Sequence, residues 1–338
     1  MTRTIRRLLF NAVFFSVSLF PQWGFAYNNL VIFGDSLADA GNNATVFSAI
    51  EAANNWPAGT LTTPTPISGP TFIPDYAYSS GRYSNGPVWT EYFGASLGLA
   101  SQASASLLGG NNFAYAGARS GPSGTLPYSR PLVDQVNTYL GGISGPASAG
   151  TLYVVEGGGN DARDAAVAAD PTSIVTNYVT NMVTIIGELK AAGARNILLW
   201  NIPDLGKTPA IQAYGSAAAG KVSGLVNFMN GALSSTLAGM PASFTDGLTQ
   251  FDAFGLMDSI FANPADYGLS NVTAACAASQ GCIDAPSGTL FWDGIHPTTA
   301  GHAIFAQLAY AAVVPEPETV VLFGLGLLVI MLRQRRSS

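Results

Sequence analysis

The chain has 338 residues, of which 48% are hydrophobic and 10% charged, so it allows one large domain or two small ones with a sizeable core. Residues 27–314 carry 8 basic and 18 acidic side chains, a net charge of −10, and this acidic body argues against nucleic acid as a partner. Two cysteines and two histidines are too few for a convincing zinc site, so we expect neither a metal nor a cofactor.

The first 26 residues have the layout of a secretory signal peptide. Three arginines precede an apolar run, and small residues at Gly24 and Ala26 fit a cleavage site after Ala26. We therefore expect residues 1–26 to be removed during export. An uncleaved membrane anchor is the alternative interpretation.

The remaining chain alternates short apolar runs with longer helical patterns, which predicts a mostly parallel sheet between two helical layers in a single α/β domain. The predicted elements, in chain order, are a strand at Leu30–Phe33, a helix at Pro87–Leu99, strands at Asn111–Gly117 and Thr151–Gly157, a helix at Thr172–Ala192, a strand at Asn196–Ile202, a helix around Ser223–Leu237, a last strand at Thr249–Phe254 and a final helix at Thr298–Ala312. Thr298 is the expected N-cap of that final helix.

One segment, Asn54–Gly81, interrupts this alternation. It holds five prolines among many threonine, glycine and serine residues, which predicts a long surface loop after the first strand. An ordered insertion is the favoured interpretation, and a lid over a substrate is the alternative.

Residues with reactive side chains follow the predicted strands, where sites form in open parallel sheets. Ser36 follows the first strand in GDSLADAGNN, Gly117 follows the second, and Asn160 lies after the third in GGGND. Asp293 and His296 stand three residues apart in FWDGIHPTTAGH, just before the final helix. This spacing lets the Asp293 carboxylate reach the Nδ1 side of the His296 ring.

These residue types are the ones that nucleophilic acyl transfer needs. A serine hydroxyl requires a base, and a histidine titrates near neutral pH, so His296 can take and return the proton of Ser36. Asp293 can set the tautomer of that histidine. The N–H groups of Ser36 and Gly117 and the amide of Asn160 can form an oxyanion hole. Each residue alone is common in turns and caps, so the interpretation depends on their joint order.

Four segments, FGDSLADAGN, NFAYAGA, GGGND and FWDGIHPT, resemble the four blocks of the SGNH, or GDSL, esterase/lipase family. GRYSNGPVWTEYFGASLGL is similar to the stretch after the first block in the lipase/acylhydrolase branch, and the resemblance covers nearly all of residues 29–313. It implies a three-layer α/β/α sandwich with a flavodoxin-like sheet. It also implies Ser36 as the nucleophile, His296 as the base with Asp293 as its partner, and Gly117 and Asn160 as oxyanion donors.

The expected function is therefore serine-dependent hydrolysis of carboxylic esters outside the cytoplasm, as an esterase or lipase. The expected partner is an ester of a lipid or of an acylated carbohydrate. The same machinery also suits an acyltransferase or a polysaccharide O-deacetylase, because all three pass through an acyl-enzyme. A non-catalytic surface or matrix protein on a hydrolase scaffold is the alternative from another class.

The two cysteines, Cys276 and Cys282, lie close together in CAASQGC. In an exported protein this spacing favours a disulfide that closes a short loop before Asp293. Two unpaired thiols are the alternative.

The C-terminal tail, VVPEPETVVLFGLGLLVIMLRQRRSS, carries a second processing pattern. Pro315 and Pro317 break the preceding helix, and Val320–Leu332 is a run of 13 residues without charge before a cluster of arginines. As a helix this run would be ~20 Å long, short of the ~30 Å hydrocarbon core of a bilayer.

The tail resembles the PEP-CTERM sorting signal of Gram-negative bacteria. The resemblance implies a hydrolase domain at residues 27–313 and a sorting signal at residues 314–338 that contains a short transmembrane helix. It also implies transient anchoring in the inner membrane, cleavage by an exosortase-type enzyme, and release to the cell surface or extracellular matrix. An amphipathic or buried terminal helix is disfavoured because the run is apolar on all sides and ends in basic residues.

Overall fold

The computed structural model describes residues 27–122 and 128–314. Its centre is a parallel sheet of four strands, in the order β1-β2-β3-β4, and a separate parallel pair is formed by β5 and β6. The strands are β1 (Asn29–Phe33), β2 (Thr151–Val155), β3 (Asn196–Trp200), β4 (Leu248–Phe251), β5 (Asn271–Ala275) and β6 (Thr289–Phe291).

Helices follow the strands along the chain and cover both faces of the sheet. Those in the described residues are α1 (Asn42–Ala53), α2 (Trp89–Ser96), α3 (Leu132–Gly142), α4 (Gly159–Val167), α5 (Thr172–Ala192), α6 (Pro209–Gln212), α7 (Ser216–Ala238), α8 (Ala242–Thr245), α9 (Ala253–Ala262), α10 (Gln280–Asp284) and α11 (Thr299–Val313).

The core has two halves because alternate strand residues point to opposite faces of the sheet. One half joins Val31, Tyr153 and Leu199 to apolar residues of α3, α4, α5 and α7. The other half joins Leu30 and Trp200 to apolar residues of α2, α9 and α11. The predicted α/β fold, a three-layer sandwich in one domain, is thereby confirmed.

The predicted strand at Asn111–Gly117 is wrong in extent. The chain pairs with β1 only at one bridge, where Ile32 N–H donates to Asn111 O (3.0 Å) and Phe113 N–H donates to Ile32 O (2.7 Å). The regular ladder stops there because Gly34 N–H, which would continue it, donates to Gln135 Oε1 (2.9 Å), although Tyr115 N–H still donates to Gly34 O (3.1 Å). If the segment at residues 111–117 is counted as a strand, it is the second strand along the chain and lies at the edge beside β1. The order of the five strands across the sheet is then 2-1-3-4-5, which is the flavodoxin-like order.

Two further predictions differ in outcome. The final helix has Thr298 as its N-cap, as predicted, and the Thr298 hydroxyl accepts from Gly301 N–H (3.1 Å). The prediction that Thr249–Phe254 is the last strand is wrong, because β5 and β6 follow it. These strands are short and β5 is largely accessible to solvent, so they carry no clear apolar alternation.

Within residues 27–122 and 128–314, no helix has the length and apolar character needed to cross a membrane. The predicted signal peptide, residues 1–26, and the predicted apolar tail helix, Val320–Leu332, both lie outside the described residues.

The second histidine of the chain, His302, is fully buried on the final helix. In the part of the chain that the structure describes, neither ring nitrogen has a hydrogen-bond partner. Burial lowers the pKa of His302 from 6.5 to about 3, because the charged ring would lose its hydration, and the nearby His296 adds to this effect. The folded protein therefore holds His302 in its neutral form.

We expect His302 to lower the free energy of unfolding as pH falls from about 6.5 toward about 3, because the unfolded chain takes up a proton that the folded chain excludes. The loss amounts to roughly 2–3 kcal/mol at pH 4.5. His302→Leu removes this contribution, so urea unfolding at pH 7 and pH 4.5 should show a smaller acid-induced loss in the variant. Equal losses in the two proteins would contradict the expectation.

Candidate active site

Ser36 lies in the turn between β1 and α1, and buried polar groups hold this turn in place. Gly34 N–H donates to Gln135 Oε1 (2.9 Å), and Asp35 N–H donates to Glu156 Oε2 (3.2 Å). A Cβ atom on Gly34 would lie 2.7 Å from Glu156 Oε2, so only glycine fits at this position. The strand therefore delivers Ser36 to the carboxyl edge of the sheet in one conformation.

Two acidic side chains lie buried beneath this turn. Burial raises the pKa of Glu156 well above its ordinary value, and the neighbouring Asp35 raises it further. Burial also raises the pKa of Asp35 to about 6. Both effects favour the neutral form of Glu156, which limits the negative charge under Ser36.

Asp293 and His296 occupy a tight turn between β6 and α11. Trp292 N–H donates to His296 O (2.8 Å) and closes the turn, while Asp293 Oδ1 accepts from the N–H groups of Ile295 (2.9 Å) and His296 (2.8 Å). Asp293 Oδ2 lies 2.8 Å from His296 Nδ1, and His296 Nε2 lies 2.9 Å from Ser36 Oγ. The three side chains thus form a continuous chain of hydrogen bonds, with Asp293 fully buried.

Gly117 lies in a loop that is hydrogen-bonded to Asp39 and to Asn43 at the start of α1. Ala116 N–H donates to both Asp39 Oδ2 (3.2 Å) and Asn43 Oδ1 (3.1 Å). Gly117 itself has φ +77°, a left-handed conformation that side chains rarely adopt, so glycine is required there. Within residues 27–122 and 128–314, the N–H groups of Ser36 and Gly117 have no acceptor.

Asn160 completes the set of donors from the start of α4. Its Nδ2 donates to Ala118 O (2.9 Å), and its Oδ1 accepts from Arg163 (3.3 Å). These two bonds set the orientation of the amide, and one N–H of Nδ2 is left over. Ser36, Gly117, Asn160 and His296 line the same cavity, and Asp293 lies behind His296, so the structure brings together the residues predicted as catalytic or as oxyanion donors.

This cavity has a volume of about 610 Å³ and also contains His296. Its lining includes the apolar residues Leu205, Ile211 and Val222 and, from the long loop, Thr71, Ile73, Pro74 and Asp75. A smaller cavity of about 50 Å³ lies against Ser36 and reaches toward the core. In the described residues, no group of three or more His, Cys, Asp or Glu side chains is placed to hold a metal ion.

The sequence did not reveal the role of Tyr78, which belongs to the proline-rich segment. Its hydroxyl donates to Asp293 Oδ2 (2.9 Å), the oxygen that faces His296 Nδ1, and its ring lies edge-on to Trp292. Burial and the adjacent Asp293 carboxylate raise the pKa of Tyr78, so the phenol stays protonated and remains a donor. No motif or spacing signals this contact, because Tyr78 lies 215 residues from Asp293 along the chain.

The rest of the proline-rich segment is an ordered wall behind the Asp293 turn. Ile67 N–H donates to Ala277 O (2.9 Å), and Gly294 N–H donates to Phe72 O (2.8 Å). Ile67 and Phe72 also pack in one apolar cluster with Cys276 and Cys282, which form a disulfide. These contacts favour the ordered insertion over a detached lid.

Tyr78→Phe is expected to lower kcat for ester hydrolysis by roughly 10- to 100-fold, because a hydrogen bond to a charged group contributes about 1.5–3 kcal/mol. KM should change little, since Tyr78 does not line the 610 Å³ cavity. The phenylalanine ring keeps the packing against Trp292, so steady-state kinetics beside a thermal unfolding curve separates the two effects. A raised KM with unchanged kcat would argue against a role in positioning Asp293.

Comparisons with known proteins give the following matches. A family model described as GDSL-like Lipase/Acylhydrolase matches residues 30–309, and one described as a PEP-CTERM protein-sorting motif matches residues 313–336. Esterase EstA of Pseudomonas aeruginosa is 28% identical over 326 residues, which cover 84% of this chain and 46% of that protein. A GDSL lipase of Tanacetum cinerariifolium is 26% identical over 307 residues, which cover 82% of each chain.

The chain thus spans about half the length of the Pseudomonas relatives that it matches. Among solved structures, a member of the lipolytic protein G-D-S-L family from Veillonella parvula aligns with a TM-score of 0.42 at 11% identity. That alignment covers 86% of this chain and 98% of the other.

Proposed function

Because this chain belongs to the GDSL-like lipase/acylhydrolase family, we propose that it hydrolyses carboxylic esters through an acyl-enzyme on Ser36. The family match covers residues 30–309, and the four sequence blocks that carry the proposed roles lie within it. The observation that carries the proposal is the hydrogen-bonded chain from Asp293 through His296 to Ser36, with distances of 2.8 Å and 2.9 Å.

In the first step, His296 Nε2 takes the proton of Ser36 Oγ as that oxygen attacks the ester carbonyl carbon. Asp293 holds the ring with Nδ1–H toward its carboxylate, so Nε2 is the free acceptor, and it stabilises the imidazolium that forms. The tetrahedral intermediate collapses when His296 gives the proton to the leaving alkoxide, which departs as the alcohol. Water then repeats the sequence on the acyl-enzyme and releases the acid.

The negative charge of the intermediate needs donors that are already in place. The N–H groups of Ser36 and Gly117 have no acceptor in the described residues, and the amide of Asn160 has an N–H left over. These three donors converge on one cavity and are proposed as the oxyanion hole. Such donors act because they need no reorganisation when the charge develops.

The direct test is labelling with a fluorophosphonate, which reacts with activated serines. The purified protein should be labelled at Ser36, as read from the mass of the modified peptide, and labelling should abolish hydrolysis of nitrophenyl acetate. A serine outside the cavity, such as Ser259 on α9, serves as an internal control that should stay unmodified. Labelling at another serine, with hydrolysis retained, would reject the proposed nucleophile.

We further propose that the protein is exported and sorted, with a signal peptide at residues 1–26, the hydrolase domain at residues 27–313 and a sorting signal at residues 314–338. The match to a PEP-CTERM protein-sorting motif supports this division, and an exosortase-type enzyme is the proposed partner. Protein isolated from its native host should lack roughly the last twenty residues when its intact mass is measured. A mature form that ends at Ser338 would reject sorting while leaving ester hydrolysis untouched.

A further inference from the structure

Arg163 lines both cavities at the reactive centre, together with Ser36, Asn160 and His296. It stands one turn after Asn160 on α4, and its side chain remains exposed to solvent. One guanidinium N–H donates to Asn160 Oδ1 at 3.3 Å. The guanidinium carries five donors, so four remain for other groups.

The carboxylates of Asp164, Asp35 and Asp293 lie close enough to interact with the charge of Arg163, but none of these three pairs with it directly. In the described part of the chain it forms no ion pair, whereas Arg119 in the same cavity is held by Asp164 through two bonds (2.8 and 2.9 Å). The remaining charged side chain of the larger cavity apart from His296 is Asp75, and the smaller cavity adds Asp35, Glu156 and Asp204. Among the described residues, Arg163 is thus a cation beside the reactive serine whose guanidinium is not held in an ion pair.

We propose that Arg163 binds an anionic group of the substrate, a carboxylate or a phosphate, beside the ester that Ser36 attacks. This inference rests on the proposed function. A guanidinium presents its N–H donors in a planar fork that matches two oxygens of such a group, and its weak hydration makes the exchange of water for the anion favourable. The cavity of about 610 Å³ has room for the ester and for the anion at once.

A competing role for Arg163 is purely positional, since it also holds the Asn160 amide. The two roles predict different results. A positional role lowers the turnover of every ester by the same factor, through kcat. An anion-binding role changes affinity, and does so only for esters that carry the negative charge.

Affinity is best measured in the Ser36→Ala background, where the ester is not consumed. Two matched pairs serve as probes for calorimetry: monomethyl adipate against methyl hexanoate, and 2-phosphoethyl acetate against propyl acetate. Each pair differs in the anionic group, which is a carboxylate on the acyl side in the first and a phosphate on the alcohol side in the second. We expect at least one anionic member to bind about tenfold or more tightly than its neutral partner.

Arg163→Gln in the same background should remove that preference, and Arg163→Lys should retain part of it because the charge is kept. Arg195→Gln, which removes an exposed arginine that lines neither cavity, is the matched control and should leave the preference intact. Equal affinity for charged and neutral members in both pairs, or a preference that survives Arg163→Gln, overturns the proposal. Failure of the proposed function is seen separately, as absence of hydrolysis of all four esters by the wild-type protein.

Discussion

Ser36→Ala and His296→Ala are each expected to lower kcat for ester hydrolysis by about 10⁴-fold or more, because nucleophile and base act as one unit. Without Ser36 Oγ no acyl-enzyme can form. Without the His296 ring the hydroxyl, 2.9 Å from Nε2, loses the group that accepts its proton. For the same reason the double variant should be scarcely slower than either single one.

The measurement is kcat on a short-chain nitrophenyl ester, with circular dichroism to show that each variant is folded. His302→Leu is the matched control: it removes the other histidine of the chain, which is buried on the final helix and lines neither cavity. This control should keep its turnover at pH 7. Losses that simply multiply in the double variant would show that Ser36 and His296 act independently, against the proposed mechanism.

Asn160→Ala is expected to lower kcat by roughly 100- to 1000-fold with little change in KM, because an oxyanion donor stabilises the transition state more than the bound ester. The side chain also donates to Ala118 O and accepts from Arg163, so part of any effect could come from a shifted loop. Asn181→Ala is a suitable control, since its amide donates to Ser120 Oγ (3.2 Å) and it lines neither cavity.

Steady-state kinetics of the two variants decides this prediction. If Asn160→Ala raises KM and leaves kcat unchanged, the amide binds substrate and is not an oxyanion donor. If Asn181→Ala lowers kcat by a similar factor, the effect reflects a shift of the loop that contains Ala118 and Ser120. The proposed role requires a large kcat loss in the first variant alone.

The secondary-structure elements that could be predicted from the sequence are those with a long apolar periodicity. The helix at Thr172–Ala192 was predicted with its observed bounds, because 21 residues of apolar periodicity leave little ambiguity. The strand at Asn111–Gly117 was overestimated, since the Gln135 side chain accepts the Gly34 N–H that would continue the pairing, and apolar alternation does not report such a bond. β5 and β6 were missed because they are short and β5 buries few apolar side chains.

Some residues of the candidate site could be predicted from the sequence, and others could not. Ser36, Gly117, Asn160, Asp293 and His296 could be singled out because each lies in a short motif with the residue type that acyl transfer needs. In a parallel sheet, the segments that leave the strands meet at one edge, so these motifs converge without any further information. The sequence by itself thus determined the layers of the fold and the chemical types at the reactive centre.

Tertiary structure alone decided what surrounds those residues. Tyr78 reaches Asp293, Asp39 holds the Gly117 loop, and Arg163 lies beside Ser36 without an ion pair among the described residues. None of these contacts has a fixed spacing, because each depends on how a loop or helix packs after the sheet has formed. Hydrogen bonds and ion pairs across long separations depend on distances of tenths of an ångström, and apolar periodicity carries no information at that scale.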